Sequence, residues 1–281
     1  MTGRTHESTI HTDFSGNRMD YGGYLRLDLI LSAQHPLSNP EHHDEMLFIV
    51  QHQTSELWMK LVAHELHAAI QHIRADRLEP CFKILARVKH IQRMLFEQWS
   101  VLETLTPSEY AEFRGVLGRA SGFQSAGFRL IEFLLGNKDE QAMEVFRHQP
   151  ETFASLKSAY ENLSIYEEFL AFLHRHGHEV PVETFSPAGT HARKSDPEVV
   201  EVFKRVYEQP KEHWDAYEMA EKLVDVEEQF LLWRFRHMKT VERIIGFKTG
   251  TGGSSGVAFL KAALDIRLFP ELWDVRTVLG K

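Results

Sequence analysis

Residues 212–245 read EHWDAYEMAEKLVDVEEQFLLWRFRHMKTVERII, and the apolar positions in that run decide the fold class. Met219, Leu223, Val226, Phe230, Trp233, His237, Val241 and Ile244 recur at three- and four-residue steps, the spacing that lines one face of an α-helix. Gly246 ends the pattern, as glycine does where a chain leaves a helix through a left-handed turn. On the C-terminal side lie the loop Gly250-Thr251-Gly252-Gly253-Ser254-Ser255-Gly256, a short helix, and an apolar tail with Phe269, Leu272 and Trp273.

On the N-terminal side, Asp196 followed by Pro197 is a helix start after a Pro/Gly-punctuated loop over 177–195. Helices are expected over 156–174 and 139–147, and another ends near Gly136 after the Gly/Ser loop 118–127. Thr106-Pro107-Ser108-Glu109 has the spacing of a capping box with proline at the first helical position, so a short helix presents Tyr110, Phe113 and Arg114. Pro80 opens a long helix with the stripe Ile84, Val88, Ile91, Leu95, Gln98, Leu102. From Asp44 to about Ile73 the stripe Leu47, Val50, Thr54, Leu57, Leu61, His64, Ala68 predicts a further helix, with Glu56 and Lys60 as an i,i+4 pair. No strand or repeat pattern emerges, and the expectation is an all-α, bundle-like fold.

A chain of 281 residues with 43% hydrophobic content can bury a substantial core. Its net charge of -8 argues against a general nucleic-acid binder, which needs a basic surface to displace counterions. The single cysteine, Cys81, rules out an intrachain disulfide, a Cys-x-x-Cys site and the covalent attachment motif of c-type haem. No stretch approaches the roughly 20 apolar residues of a membrane span. These features predict a cytoplasmic protein with neither membrane nor nucleic acid as partner.

Histidine is over-represented, with 17. His237 stands on the core face of the longest stripe, where two readings remain open. One is a hydrogen-bonded core histidine, the commoner case; the other is a metal or haem ligand in an apolar cleft. No Glu-x-x-His or His-Glu-x-x-His is present, which removes the usual helical di-iron and zinc-protease ligand patterns. The run Glu41-His42-His43-Asp44-Glu45 is better explained as an acidic helix start than as a metal cluster. Phe48 and His52 form one aromatic pair a helical turn apart. Tyr110 and Arg114 form another, in which Arg114 either covers the ring with its stem or clamps a carboxylate.

Taken in order, Tyr21-Gly22-Gly23-Tyr24-Leu25, the run DEMLFIVQHQTSELW at 44–58, Ser121-Gly122-Phe123-Gln124-Ser125, Trp233-Arg234-Phe235-Arg236-His237 and Gly250-Thr251-Gly252-Gly253-Ser254 resemble the tryptophan 2,3-dioxygenase family. The resemblance covers nearly the whole chain from Tyr21. It implies a haem b, active as Fe(II), with His237 as its axial ligand, and a homotetramer that adds dioxygen across the indole C2–C3 bond of L-tryptophan. The product is N-formylkynurenine, the first intermediate of tryptophan degradation by the kynurenine pathway. It further implies a substrate site made of Phe48, Ile49, Val50, Gln51, His52, Tyr110, Arg114 and Thr251, with Ser121 in the distal pocket. Residues 1–40 then form an N-terminal segment that docks on a neighbouring subunit and delivers Tyr21, Tyr24 and Leu25 to its site, while 41–281 form one helical domain. In this scheme Arg114 meets the carboxylate, Thr251 the ammonium, and His52 orients the indole N–H without acting as an essential base. A haem carrier would share His237 but has no need of the amino-acid clamp.

Overall fold

The structure is a computed structural model that describes residues 20–185, 193–253 and 255–280. Part of the predicted N-terminal segment, part of the 177–195 loop and Ser254 lie outside the described residues. In chain order the helices are α1 (Tyr21–Leu25), α2 (Leu27–Ile30), α3 (His43–Arg74), α4 (Glu79–Glu97), α5 (Trp99–Leu102), α6 (Pro107–Phe113) and α7 (Ala126–Leu134). They continue as α8 (Glu140–Glu144), α9 (Pro150–Glu161), α10 (Ile165–Arg175), α11 (Pro197–Glu208), α12 (Trp214–Ile244), α13 (Val257–Ala262) and α14 (Pro270–Val278). No strand occurs among the described residues, so the fold is all-α as expected. None of their helices is long and apolar enough to cross a membrane.

The local start signals act as read. Thr106 accepts from the Glu109 backbone N–H while the Glu109 carboxylate accepts from the Thr106 N–H, closing the capping box at α6. Asp196 caps α11 through the backbone N–H groups of Glu198 and Val199. Glu45 accepts from the backbone N–H groups of Leu37 and Ser38, which straps the incoming chain onto the first turn of α3. The acidic run at 41–45 is therefore a helix start, and no group of three or more His, Cys, Asp or Glu among the described residues is placed to hold a metal.

Three expectations need correction. The stretch 156–174 is two helices, because Ser164 and Glu167 form a second capping box that starts α10 after the extended Asn162. On α3 the buried stripe is Gln51, Ser55, Met59, Val62, Leu66, Ala69 and Ile73, whereas Val50 and Leu57 of the predicted stripe are 43% and 52% exposed. The helix is apolar on more than one side, so periodicity fits two faces and packing selects one. The buried face tolerates polar residues because they are matched: Gln98 donates to Ser55, and Arg87 meets Glu65 at 2.7 and 2.8 Å. Glu56 does not pair with Lys60; it accepts from the Ser125 hydroxyl at 2.6 Å.

Helix α4 packs against both α3 and α12. The helix expected from Pro80 through Leu102 ends at Glu97 and resumes as α5; of its stripe Val88, Ile91, Leu95 and Leu102 are buried, while Ile84 and Gln98 are half-buried. On α12 Met219, Leu223, Val226, Phe230, Trp233 and Ile244 are buried, while His237 and Val241 are half-buried. Fully burying side chains such as Leu66, Leu85 and Leu223 contributes on the order of 1.5–3 kcal/mol each. Beyond the end of α4, the short helices α5 and α6 each contact both α3 and α12. That end of the molecule carries the chemistry-bearing residues.

Candidate functional site

His52 lies on α3 with its Nδ1 2.7 Å from the Phe48 carbonyl oxygen. A carbonyl only accepts, so Nδ1 carries the proton and Nε2 presents a lone pair. Burial pushes the His52 pKa below its usual value, opposed by the Phe48 carbonyl and by the negative charge of Glu56. The Phe48 ring sits 4.2 Å from the His52 ring, 6.0 Å from Tyr110 and 5.6 Å from Phe113. Tyr110 and Phe113 meet edge to face at 5.5 Å. An aromatic wall thus joins α3 to α6, with Tyr110 and Phe113 both buried.

Beside that wall opens a cleft of about 460 Å³ lined by Tyr110, Arg114, Gly115, Ile244, Lys248 and Thr251 among others. Arg114 donates from Nη2 to the Thr249 carbonyl at 2.8 Å. Thr251 donates from its hydroxyl to the Ala120 carbonyl at 2.5 Å. Burial raises the Tyr110 phenol pKa, with the neighbouring Arg114 charge pulling the other way. The 250–253 loop lies tightly on Ser121: a Cβ at Gly252 would fall 2.6 Å from the Ser121 Cβ, so only glycine allows this approach. Ser121 itself is half-buried and caps a short 3-10 turn at Gly122–Gln124.

His237 on α12 faces the same region. Its ring stacks on Trp99 of α5, with centroids 4.8 Å apart and an 8° interplanar angle, and lies 5.6 Å from Trp233. Burial, reinforced by the nearby His52, drives its pKa down to about 4, so the imidazole is neutral at physiological pH. Neither ring nitrogen makes a hydrogen bond among the described residues.

The sequence profile of the family described as tryptophan 2,3-dioxygenase matches residues 5–184 and 195–279. The chain belongs to the tryptophan 2,3-dioxygenase family. It is 62% identical over 280 residues to the tryptophan 2,3-dioxygenase of Serratia proteamaculans, covering 100% of both chains. It is 63% identical to the enzyme of that name from Myxococcus xanthus, across 99% of this chain and 96% of the relative. The corresponding protein of Xanthomonas oryzae pv. oryzae is 59% identical, with 98% and 92% covered.

Among the residues expected from the family resemblance, the structure brings together Phe48, His52 and Tyr110 on one side and Tyr110, Arg114 and Thr251 on the other. Five consecutive helical residues cannot share a face. Ile49 is accordingly half-buried, Val50 is exposed, and Gln51 turns into the core with its Nε2 unpartnered. Tyr21 and Tyr24 are 78% and 73% exposed, and α1 buries nothing against its own chain. Phe113 was placed on the capped helix by sequence but given no role in the site, and Trp99 and the Thr249 and Ala120 carbonyls were not singled out. The spacing of Phe113 from Tyr110 within one capped helix was a usable signal; nothing local pointed to the other three.

Proposed function

We propose that this chain is a haem-dependent dioxygenase that cleaves the indole C2–C3 bond of L-tryptophan with O2 to give N-formylkynurenine, at the head of the kynurenine route of tryptophan degradation. Membership of the family supports the reaction. The observation that carries the site assignment is the pair of neutral imidazoles on α12 and α3, His237 with no hydrogen bond among the described residues and His52 with a fixed acceptor at Nε2.

A neutral imidazole flanked by two indoles suits holding a haem iron. His237 would hold haem b, and bound haem in the Fe(II) state supplies the metal centre that activates dioxygen. The remaining chemistry belongs to the protein. Arg114 offers a planar guanidinium for the amino-acid carboxylate once it exchanges its bond to the Thr249 carbonyl. Thr251 stands on the same cleft for the ammonium group. Phe48, Tyr110 and Phe113 wall the indole ring and keep water from it, while the Phe48–His52 segment, with Ile49, Val50 and Gln51 between its ends, forms the helical floor.

His52 Nε2 accepts the indole N–H and orients the ring; imidazole is too weak a base to remove that proton outright. Ser121 borders the pocket under the Gly252 loop. The exposed Tyr21, Tyr24 and Leu25 suit delivery to the site of a neighbouring copy in a homotetramer, which would make 1–40 a docking segment on the 41–281 domain. A single cysteine held as a buried thiol fits a cytoplasmic setting.

The test is oxygen uptake and formation of the formylated product by the reduced, haem-loaded protein with L-tryptophan. His237→Ala is expected to lose the wild-type Soret band along with turnover. A wild-type spectrum in that variant assigns the iron to another residue, and haem-loaded wild-type protein that consumes no oxygen with tryptophan overturns the reaction.

A further inference from the structure

Three histidines in this chain follow an aromatic residue by one helical turn, and they do not behave alike. His52 and His176 each fold back on their own helix, placing Nδ1 2.7 Å from the Phe48 carbonyl and 2.9 Å from the Phe172 carbonyl. Their rings lie 4.2 and 3.9 Å from those phenylalanines. His237 has Trp233 in the corresponding place yet makes no bond to its carbonyl, and the Trp233 ring is 5.6 Å away and tilted by 31°. It stacks instead on a ring from another helix, Trp99, at 4.8 Å and 8°. A metal-bound histidine ordinarily has its ring set by a hydrogen bond from its second nitrogen to a carboxylate or carbonyl. Here no acceptor among the described residues does so.

We propose that Trp99 is a positioning residue that sets the rotation of the His237 ring by face-to-face stacking, taking the place of the usual hydrogen-bonded partner. The proposal rests on the assignment of His237 as the haem ligand. A flat indole parallel to the imidazole leaves the ring free to slide a little and opposes its rotation out of plane.

The stack is itself anchored. Trp99 is buried at the start of α5, and Glu103 immediately follows that helix. The Glu103 carboxylate accepts from Arg236 Nε and Nη2, both at 3.2 Å, and from the Thr240 hydroxyl at 2.9 Å. Arg236 and Thr240 flank His237 on α12, and the Arg236 guanidinium lies 4.7 Å over the Phe96 ring at the end of α4. Glu103 therefore ties the element that carries the indole to the helix that carries the imidazole.

The experiment compares wild type, Trp99→Leu, Trp99→Phe and Glu103→Gln as ferrous, haem-loaded proteins. It reads the iron–histidine stretching band by resonance Raman and the rate of haem loss to a scavenging apoprotein. Trp99→Leu is expected to shift or split the band and to speed haem loss by about tenfold, the lower end of what losing a ligand's supporting partner does. Trp99→Phe, which keeps a flat ring, is expected to retain the wild-type band. A folded Trp99→Leu protein with wild-type band and wild-type haem loss overturns the proposal. Should Trp99→Leu not fold, Glu103→Gln decides: a broadened band supports the anchored stack, and a band of wild-type position and width overturns it. Wild-type protein that takes up no haem fails at the ligand assignment, a result distinct from either.

Discussion

The His52 Nδ1 and the Phe48 carbonyl oxygen are 2.7 Å apart, and this one bond fixes the histidine tautomer. With the proton held at Nδ1, the only ring atom left to meet a ligand is an acceptor. An indole N–H is complementary to it. L-Tryptophan is therefore expected to bind more tightly than its 1-methyl derivative by about 1–3 kcal/mol, the cost of an unmatched buried polar group. In His52→Ala the two ligands should bind alike. Titration of both ligands against both proteins checks this, and a preference for tryptophan that survives the substitution places the N–H contact elsewhere.

Acid should weaken substrate binding through the same residue. Burial lowers the folded-state pKa of His52 below the ordinary 6.5, so the folded chain keeps it neutral where the unfolded chain already takes up a proton. The resulting stability is complete above the unfolded pKa and is lost as pH falls from 6.5 toward the folded value. Affinity for tryptophan should stay level from pH 8 to 6.5 and decline only at lower pH, by about tenfold per unit once His52 is protonated. Glu56 opposes the downward shift, so Glu56→Gln should move the decline to still lower pH. A decline centred above 6.5, or one unchanged in His52→Ser, assigns the titration to another group.

Arg114 is held by the Thr249 carbonyl and is half-buried beside Tyr110. If it receives the substrate carboxylate, Arg114→Ala should weaken tryptophan binding by about 2–5 kcal/mol, the usual cost of truncating one partner of a buried charge pair. Tryptamine, which lacks the carboxylate, should bind both proteins alike. Arg114→Lys should restore only part of the loss, because an ammonium cannot make the paired contact of a guanidinium. Equal losses for tryptophan and tryptamine would mean that Arg114 acts through the fold of the loop.

Gly252 lies where a Cβ would sit 2.6 Å from Ser121 Cβ and 2.7 Å from its hydroxyl. Gly252→Ala must displace either the 250–253 loop or Ser121, at a cost of about 1–3 kcal/mol. Because Thr251 is adjacent, tryptophan affinity should fall, together with a drop of several degrees in the melting temperature. Gly122→Ala, with nothing within 4 Å of the added Cβ, should leave both unchanged. Unaltered affinity in Gly252→Ala would show that the loop binds no substrate.

Sequence by itself determined the helical class, the capped starts of α6 and α11, most of the buried stripes of α4 and α12, and the place of His237 on the core-side stripe. All of these follow from contacts one to four residues apart, where helical geometry alone says which side chains are neighbours. It also carried the motif set by which the family is recognised. Which face of α3 is buried was not legible, because Leu47, Val50 and Leu57 repeat as regularly as Met59, Val62 and Leu66, and only the packing of α4, α7 and α10 on α3 separates them.

The tertiary structure alone decided what surrounds His237 and Arg114. Trp99 precedes His237 by more than a hundred positions, and so does Arg114 precede the Thr249 carbonyl that holds it. No local pattern encodes such pairs; they exist because α5 and α6 bridge α3 and α12. Periodicity showed that His237 points inward. The packing of α5 against α12 decided that it meets a flat indole and, among the described residues, no hydrogen-bond acceptor.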